Sequence, residues 1–344
     1  MSQAKPVTIY EVSKLAKVSI ATVSRALNPD TRHRVAPATF RRIAAVIDQC
    51  GYTPSLAARH LGGSTLKTIG VVLPQFRGVF CSDYYMKVLA GIADALLETD
   101  YQFKLIMLKM GQYQWDRYDF KAGEGVRGLI VTHWPKFFSH ASVLERLRLP
   151  CVVISDPEKG VQAHFVSGDN LQGGELAARH LYARGHRQIA VLTGPAWSSD
   201  SRLRVQGFQQ FFRRTGSRHK LTLLQGDFHE ELAQSAAEAF LKTRPAVTAF
   251  FCCNDLTAFG VLKQLRAMRL SCPKDVSLIG YDDIPRAEAA EPPLTTVRVP
   301  VYEVAAAGAR RLVERLAAGD GGTAFVGQTL LPVSLVERQS VARR

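Results

Sequence analysis

From Lys67 onward the chain alternates short apolar runs with longer amphipathic ones, and this alternation constrains its fold more than any other feature. Thr68–Leu73, Phe103–Leu108, Gly128–Thr132 and Pro150–Ser155 read as strands, with a helix over Tyr85–Leu97 after the first. Beyond Asp169 the pattern restarts with helix Leu171–Arg184, strand Gln188–Thr193, helix Ser201–Arg214 and strand Leu221–Leu224. Helix Glu230–Leu241, strand Val247–Cys252, helix Asp255–Arg269 and strand Val276–Gly280 continue it. Strand–helix repeats bury both faces of a parallel sheet, so two runs predict an α/β core of two parallel-sheet lobes. A late helix, Val301–Ala317, and a last strand, Thr329–Val336, let the chain cross between lobes more than once. Lobes built that way are discontinuous and hinge about several strands.

The first fifty residues follow a different rule. In Thr8 to Leu27 two short helix-sized pieces flank Ala16-Lys17-Val18. Thr8 is placed to cap the first, with Glu11 answering as a capping box, and Ile9, Val12 and Leu15 form its apolar face. Ser19 is placed to cap the second, which sets Val23, Ala26 and Leu27 on one side and Ile20, Ala21, Thr22, Ser24 and Arg25 on the other. Two capped helices with a tight turn form the helix-turn-helix pattern, whose second helix enters the DNA major groove. After the turn Asn28-Pro29-Asp30 comes a third helix, started by Pro37, striped with Phe40, Ile43, Ala44 and Ile47, and closed by Gly51.

Charge supports a polyanionic partner. The chain carries +14, and residues 1–66 hold nine Lys and Arg against three acids, so 9 − 3 = +6 sits in this short stretch. Tyr52 to Thr65 is a helix-capable connector begun by Pro54 and Ser55 and ended by Gly62-Gly63. It is too short to be helical alone, and reads either as a plain linker or as a hinge that folds on DNA with Leu61 as a minor-groove wedge.

Several functions find no support. Gly123–Gly128 matches G-x-G-x-x-G but precedes a strand instead of following one, so it reads as a turn. The six cysteines form no C-x-x-C pair and share no ligand spacing with the nine histidines, so they read as structural thiols. There is no G-x-S-x-G elbow, P-loop or metal-ligand cluster, and no cofactor is expected. No apolar run reaches the length of a membrane span, and the N-terminus lacks a signal-peptide core; a cytoplasmic protein is expected. Two rivals are an exported solute-binding protein, disfavoured by the basic headpiece and missing signal, and an enzyme using the interlobe cleft.

The strings TIYEVSKLAKVSIATVSRALN, RVAPATFRRI, GYTPSLAARHL and TIGVVLP, followed by DNLQGGELAARHL, RGHRQIAVLTGP, RLRVQGF, AFFCCNDLTAFGVL, CPKDVSLIGYDD and PPLTTVRVP, resemble the LacI/GalR family of bacterial transcription regulators over nearly the whole chain. The resemblance implies a homodimeric repressor on a near-palindromic operator. It also implies a core shaped like periplasmic sugar-binding proteins, with a small effector (sugar, sugar acid, nucleoside or purine) between the lobes. The implied domains are a headpiece over 1–52, a hinge over 53–66 and a core over 67–344. The N-lobe would comprise about 67–167 plus 297–327, and the C-lobe about 168–296 plus 328–340.

Carried over by position, Ile20 and Ala21 choose bases through apolar contacts and Arg25 reads the same groove, where an Arg can grip guanine bidentately. Tyr10, Ser19, Thr22 and Arg34 would hold the DNA backbone, and Leu61 would open the central base step. In the core, Arg204, Asn254 and Asp282 would be polar effector contacts, with Phe228 as an aromatic wall, Tyr84 and Tyr85 opening the first core helix, and Ser155 at the cleft mouth. Three departures stand out. Lys17 replaces the usual turn Gly, Ala36 replaces the usual Ser cap, and Gln75–Asp83 is longer than usual. The chain ends at Arg344 without a heptad tail, so a dimer is expected.

Overall fold

A computed structural model describes residues 7–28, 31–52, 67–109, 126–132, 149–156, 163–243, 245–319 and 326–344. The chain divides into two compact units, residues 1–67 and 68–344. The segment 53–66, with Leu61, lies outside the described residues, as do Gly123–Gly125 of the glycine motif; strand begins at Val126.

The first unit has three helices, α1 (Ile9–Ala16), α2 (Ile20–Leu27) and α3 (Pro37–Cys50). The capping box forms: Glu11 N–H donates to Thr8 Oγ1 (3.4 Å) and Thr8 N–H to Glu11 Oε2 (2.6 Å). At α2, Thr22 N–H donates to Ser19 Oγ at 3.1 Å. Lys17 ends α1 in the left-handed region (φ 50°), a conformation glycine adopts more easily. Ala36 supplies no side-chain cap to α3, whose first turn relies on Pro37.

Val12, Ala16, Val23, Ala26, Ile43 and Tyr52 form the small core. Two stripe residues are corrected. Leu15 is 60% exposed, because the inward face of α1 runs through Ile9, Val12 and Ala16. Phe40 likewise faces solvent at 36%, and α3 packs instead through Ile43, Val46, Ile47 and Cys50. Short helices offer two nearly equivalent apolar arcs, and contact with the other helices selects between them.

The second unit holds two six-stranded sheets. The first contains β1 (Lys67–Gln75), β2 (Tyr101–Lys109), β3 (Val126–Val131), β4 (Cys151–Ile154), β5 (His164–Gly168) and β11 (Gly327–Leu331), in the order β11-β5-β4-β3-β1-β2. The second contains β6 (Gln188–Thr193), β7 (Lys220–Gln225), β8 (Ala249–Cys252), β9 (Ser277–Asp282), β10 (Thr295–Arg298) and β12 (Ser334–Val336), in the order β12-β10-β9-β8-β6-β7. Pairing in the second sheet is parallel except between β10 and β12. The helices are α4 (Asp83–Leu96), α5 (Asn170–Ala183), α6 (Ser199–Thr215), α7 (Glu230–Lys242), α8 (Asp255–Ala267), the single-turn α9 (Pro285–Ala289) and α10 (Val301–Ala317). Cys151, Cys252 and Cys253 are buried in these cores, where burial pushes the Cys151 thiol up to about 12 and the Cys253 thiol up to about 11.

The chain passes between the sheets three times: after β5, between β10 and α10, and between β11 and β12. The passages touch. Asp169 N–H donates to Leu331 O at 2.9 Å, and a Cβ on Gly168 would press on both Val299 and Val333. The expected strand Thr329–Val336 is two strands in different sheets, broken at Pro332-Val333. As a result β10 belongs with the second sheet and β11 with the first, a few residues across the lobe limits expected at 297 and 328. Strands β5 and β10 escape the apolar-run criterion, because each is short and carries His, Ser or Thr.

Candidate DNA-reading face and effector cleft

In the first unit the described residues expected to contact DNA lie at the surface. Ile20 is 44% exposed and Tyr10 54%, and Ser19, Ala21, Arg25 and Arg34 also face solvent, with Thr22 half-buried. The buried residues of α2, Val23 and Ala26, face the other helices. Lys14 lies 4.7 Å from the Tyr10 ring, adding a cation beside it. An exposed isoleucine and alanine on a capped helix, with an exposed arginine, have the chemistry to meet thymine methyls and base edges.

In the second unit, helices following a strand begin at its carboxyl end, and there the expected effector residues gather. Arg204, on α6, is the hub. Its Nε donates to Asn170 Oδ1 (2.7 Å), and its Nη1 donates to Cys253 O (2.5 Å) and Asp282 Oδ1 (3.3 Å). The guanidinium also lies 3.9 Å from the centre of the buried Tyr281 ring. Burial works against the Arg204 charge, and Asp282, Tyr281 and Asp200 more than offset it, holding the group protonated. Asn254 caps α8, accepting from Thr257 N–H (2.9 Å), and its Nδ2 donates to Phe228 O (3.3 Å).

Asp282 sits at φ 109° and Asp283 at φ 57°, consecutive left-handed residues that the surroundings must hold. Four hydrogen bonds do so. The fully buried Asp255 accepts from Ile284 N–H (2.9 Å) and from Thr296 Oγ1 (2.6 Å). Asp283 accepts from Arg298 Nε (2.6 Å) and Arg338 Nη2 (2.8 Å), which hold its carboxyl below the usual carboxylate range against the opposing effect of burial. Arg298 ends β10, so the Asp282 turn is tied to a strand that leads directly into an interlobe passage.

The first sheet contributes Ser155, which follows β4 and donates to Asp200 Oδ1 at 3.0 Å. Asp156 N–H donates to the same oxygen at 3.0 Å, and Ser199 Oγ donates to Asp156 O at 3.1 Å. The Asp156 carboxylate accepts from Ser167 Oγ (2.7 Å) and Asn170 Nδ2 (2.5 Å). Burial and the nearby Asp200 push Asp156 up to about 6. Asp282 is also raised to about 6, by burial and Asp200 against the pull of Arg204 and Lys87. Tyr84 and Tyr85 meet edge to face at 5.1 Å, and burial followed by Asp200 raises both phenols. Asp282 raises and Arg204 lowers the Tyr84 phenol further, more weakly than burial and Asp200 do.

The expected residues Arg204, Asn254, Phe228, Asp282, Ser155, Tyr84 and Tyr85 are therefore brought together at the carboxyl ends of the two sheets. Sequence reading missed Asp156, Asn170, Asp200, Tyr281 and Lys87. A usable signal existed for two of them: Asn170 and Asp200 lie in the first turns of helices, where cleft-facing groups of α/β folds collect.

Residues 8–55 match the bacterial regulatory proteins of the lacI family, and residues 178–341 match the periplasmic binding protein-like domain. The chain is 31% identical to the HTH-type transcriptional regulator CelR of Thermobifida fusca, over 98% of this chain and 97% of that protein. It belongs to the LacI family of bacterial regulatory proteins. Another member, the HTH-type transcriptional repressor PurR of Vibrio vulnificus, is 32% identical over 90% of this chain and 92% of its own. Among solved structures, the Lac repressor dimer bound to operator and the anti-inducer ONPF matches with a TM-score of 0.84 at 26% identity, covering 98% of this chain and 100% of that one. A CelR–cellobiose complex matches at 0.71 and 30% identity, covering 97% and 99%. The LacI-family chain is thus a transcription regulator with a DNA-binding helix-turn-helix unit and a periplasmic-binding-protein-like core. Among the described residues no helix is long and apolar enough to cross a membrane.

Proposed function

We propose that this LacI-family chain is a cytoplasmic, homodimeric repressor of a near-palindromic operator, without enzymatic activity, controlled by a small metabolite in the interlobe cleft. Ile20, Ala21 and Arg25 read bases; Tyr10, Ser19, Thr22 and Arg34 hold the backbone; Leu61 acts from the 53–66 hinge. Arg204, Asn254, Asp282, Phe228, Ser155, Tyr84 and Tyr85 hold the effector. The observation that carries the reading is the Arg204 hub, a buried guanidinium drawing Asn170, Cys253 and Asp282 together at the edge of a cleft that both lobes line.

Of the ligand classes compatible with the residue types, this hub favours a neutral, hydroxyl-rich one. The charge of Arg204 is already answered by Asp282, and Asp200 and Asp156 stand close by, so a carboxylate ligand would meet acid. Hydroxyls, which both donate and accept, suit this mixture. Effector and operator affinities change each other by the same factor, about 5- to 150-fold for a coupling of roughly 1–3 kcal/mol.

A thermal-shift screen of sugars, sugar acids and nucleosides on wild type and Arg204→Ala, followed by gel shifts on selected operator duplexes, tests the reading. A hit that stabilises the wild type alone and changes its operator affinity is expected. A response retained in Arg204→Ala removes the site, and no preference for any duplex over random DNA removes the function.

A further inference from the structure

We infer that the effector is longer than one ring, and that a second subsite for a neutral sugar ring lies at the outer lip of the cleft, centred on Trp197. This rests on the cleft reading above and extends it. Beyond Phe228 the carboxyl edge of the second sheet forms an open depression of about 420 Å³, lined by Pro195, Ala196, Trp197, Gln225, Asp227, His229 and Leu232. That volume falls within the range of small-molecule sites.

Two chain segments link the depression to the cleft residues. Trp197 lies in the turn after β6 that runs on to Asp200, whose carboxylate is engaged at the cleft by Ser155 and Asp156. Asp227 and His229 flank Phe228 on the turn after β7. The sheet order β9-β8-β6-β7 sets the distance. Asp282 and Asn254 follow β9 and β8, while Trp197 and Asp227 follow β6 and β7. Two strand spacings, about 10 Å, separate the strand ends, and the side chains close much of that gap: Asn254 Nδ2 donates to Phe228 O at 3.3 Å, so the two groups meet at the turn after β7, within the span of a disaccharide.

The chemistry fits a sugar ring. Trp197 is half-buried and lines the depression with Pro195 and Leu232, and a sugar ring's C–H face stacks on an aromatic and apolar lining of this kind. Around it Gln225, Asp227 and His229 supply both donors and acceptors for hydroxyls. The polar groups are set beforehand: Gln225 Nε2 donates to Asp227 Oδ1 at 2.8 Å, and Arg202 Nη1 donates to Trp197 O at 3.1 Å.

The backbone adds an independent observation. Asp227 (φ 50°) and Phe228 (φ 63°) are consecutive non-glycine residues in the left-handed region, a conformation kept only where the surroundings enforce it. It lays the Phe228 ring against Gly194, where a Cβ would have no room, and leaves Asp227 lining the depression. One strained turn therefore serves both places.

The test is calorimetric titration of the full-length protein with matched pairs: glucose and cellobiose, galactose and lactose, xylose and xylobiose. In at least one pair the disaccharide is expected to bind about ten-fold more tightly than its monosaccharide. Trp197→Ala should erase most of that gain while leaving monosaccharide affinity, operator binding and the melting temperature near wild type, and Trp197→Phe should restore part of it. The proposal is overturned if no disaccharide in the set outbinds its own monosaccharide, or if the gain survives in a folded Trp197→Ala protein. Monosaccharide binding that persists in Arg204→Ala would instead show the cleft reading to be wrong and would remove the subsite with it.

Discussion

The two units present the residues proposed to act in them in opposite ways. In the first, Tyr10, Ile20, Ala21 and Arg25 stand in solvent on a scaffold whose stability comes from other residues. In the second, Arg204, Asn254 and Asp282 are folded into the scaffold, and each hydrogen-bonds or pairs with groups that also hold the lobe together. Reading DNA therefore places few demands on the fold of the first unit. Recognising a ligand in the second demands a preorganised polar network, whose members cannot be removed without structural cost.

The largest test of this contrast is Arg204→Ala. The Arg204 and Asp282 side chains are 9% and 19% exposed, so removing one partner strands the other, at a cost of about 3–5 kcal/mol in urea unfolding together with loss of effector response. Next is Asp255→Asn. Burial, reinforced by Asp282, raises Asp255 from 3.8 to about 8. An acid whose pKa is raised by folding costs stability when ionised: the cost is absent below about pH 4, grows as pH rises, and is complete above about pH 8. The wild-type core should lose stability across that window, and Asp255→Asn, which can still accept from Ile284 and bond Thr296, should show a flatter melting profile. A slope identical to wild type would refute the assignment.

Arg25→Ala should weaken discrimination at one base pair by about 1–3 kcal/mol in gel shifts against single-base operator variants, with unfolding stability changed by less than about 0.5 kcal/mol. A large stability loss there would erase the contrast between the units. The smallest effect is expected from Ala36→Ser. It supplies the missing cap of α3 and should raise headpiece stability by about 0.5–1 kcal/mol without altering DNA recognition.

The headpiece was legible because its signals are local. Thr8 with Glu11, and Ser19 with Thr22, are contacts three residues apart, and the chain spells them out. Leu15 and Phe40 were misplaced because a helix of two to four turns has alternative apolar arcs. In the core, Arg204, Asn254 and Asp282 came from resemblance to a family, not from any local pattern. Asp200 meets Ser155 and Asp156 across 45 and 44 residues, and Asn170 meets Arg204 across 34. No periodicity marks a contact at that separation.

Hydrophobic spacing, turn chemistry and charge thus determined the three headpiece helices and the caps of the first two, the strand–helix alternation and the basic end of the chain, because those properties depend on neighbours within a turn or two. Only the tertiary structure decided that Thr329–Val336 divides between two sheets, that Gly168, Val299 and Val333 meet where the chain crosses, and that Asp156, Asp200 and Asp282 surround one arginine. Those outcomes depend on which distant surfaces become buried together, and desolvation sets the charge states of the groups enclosed there.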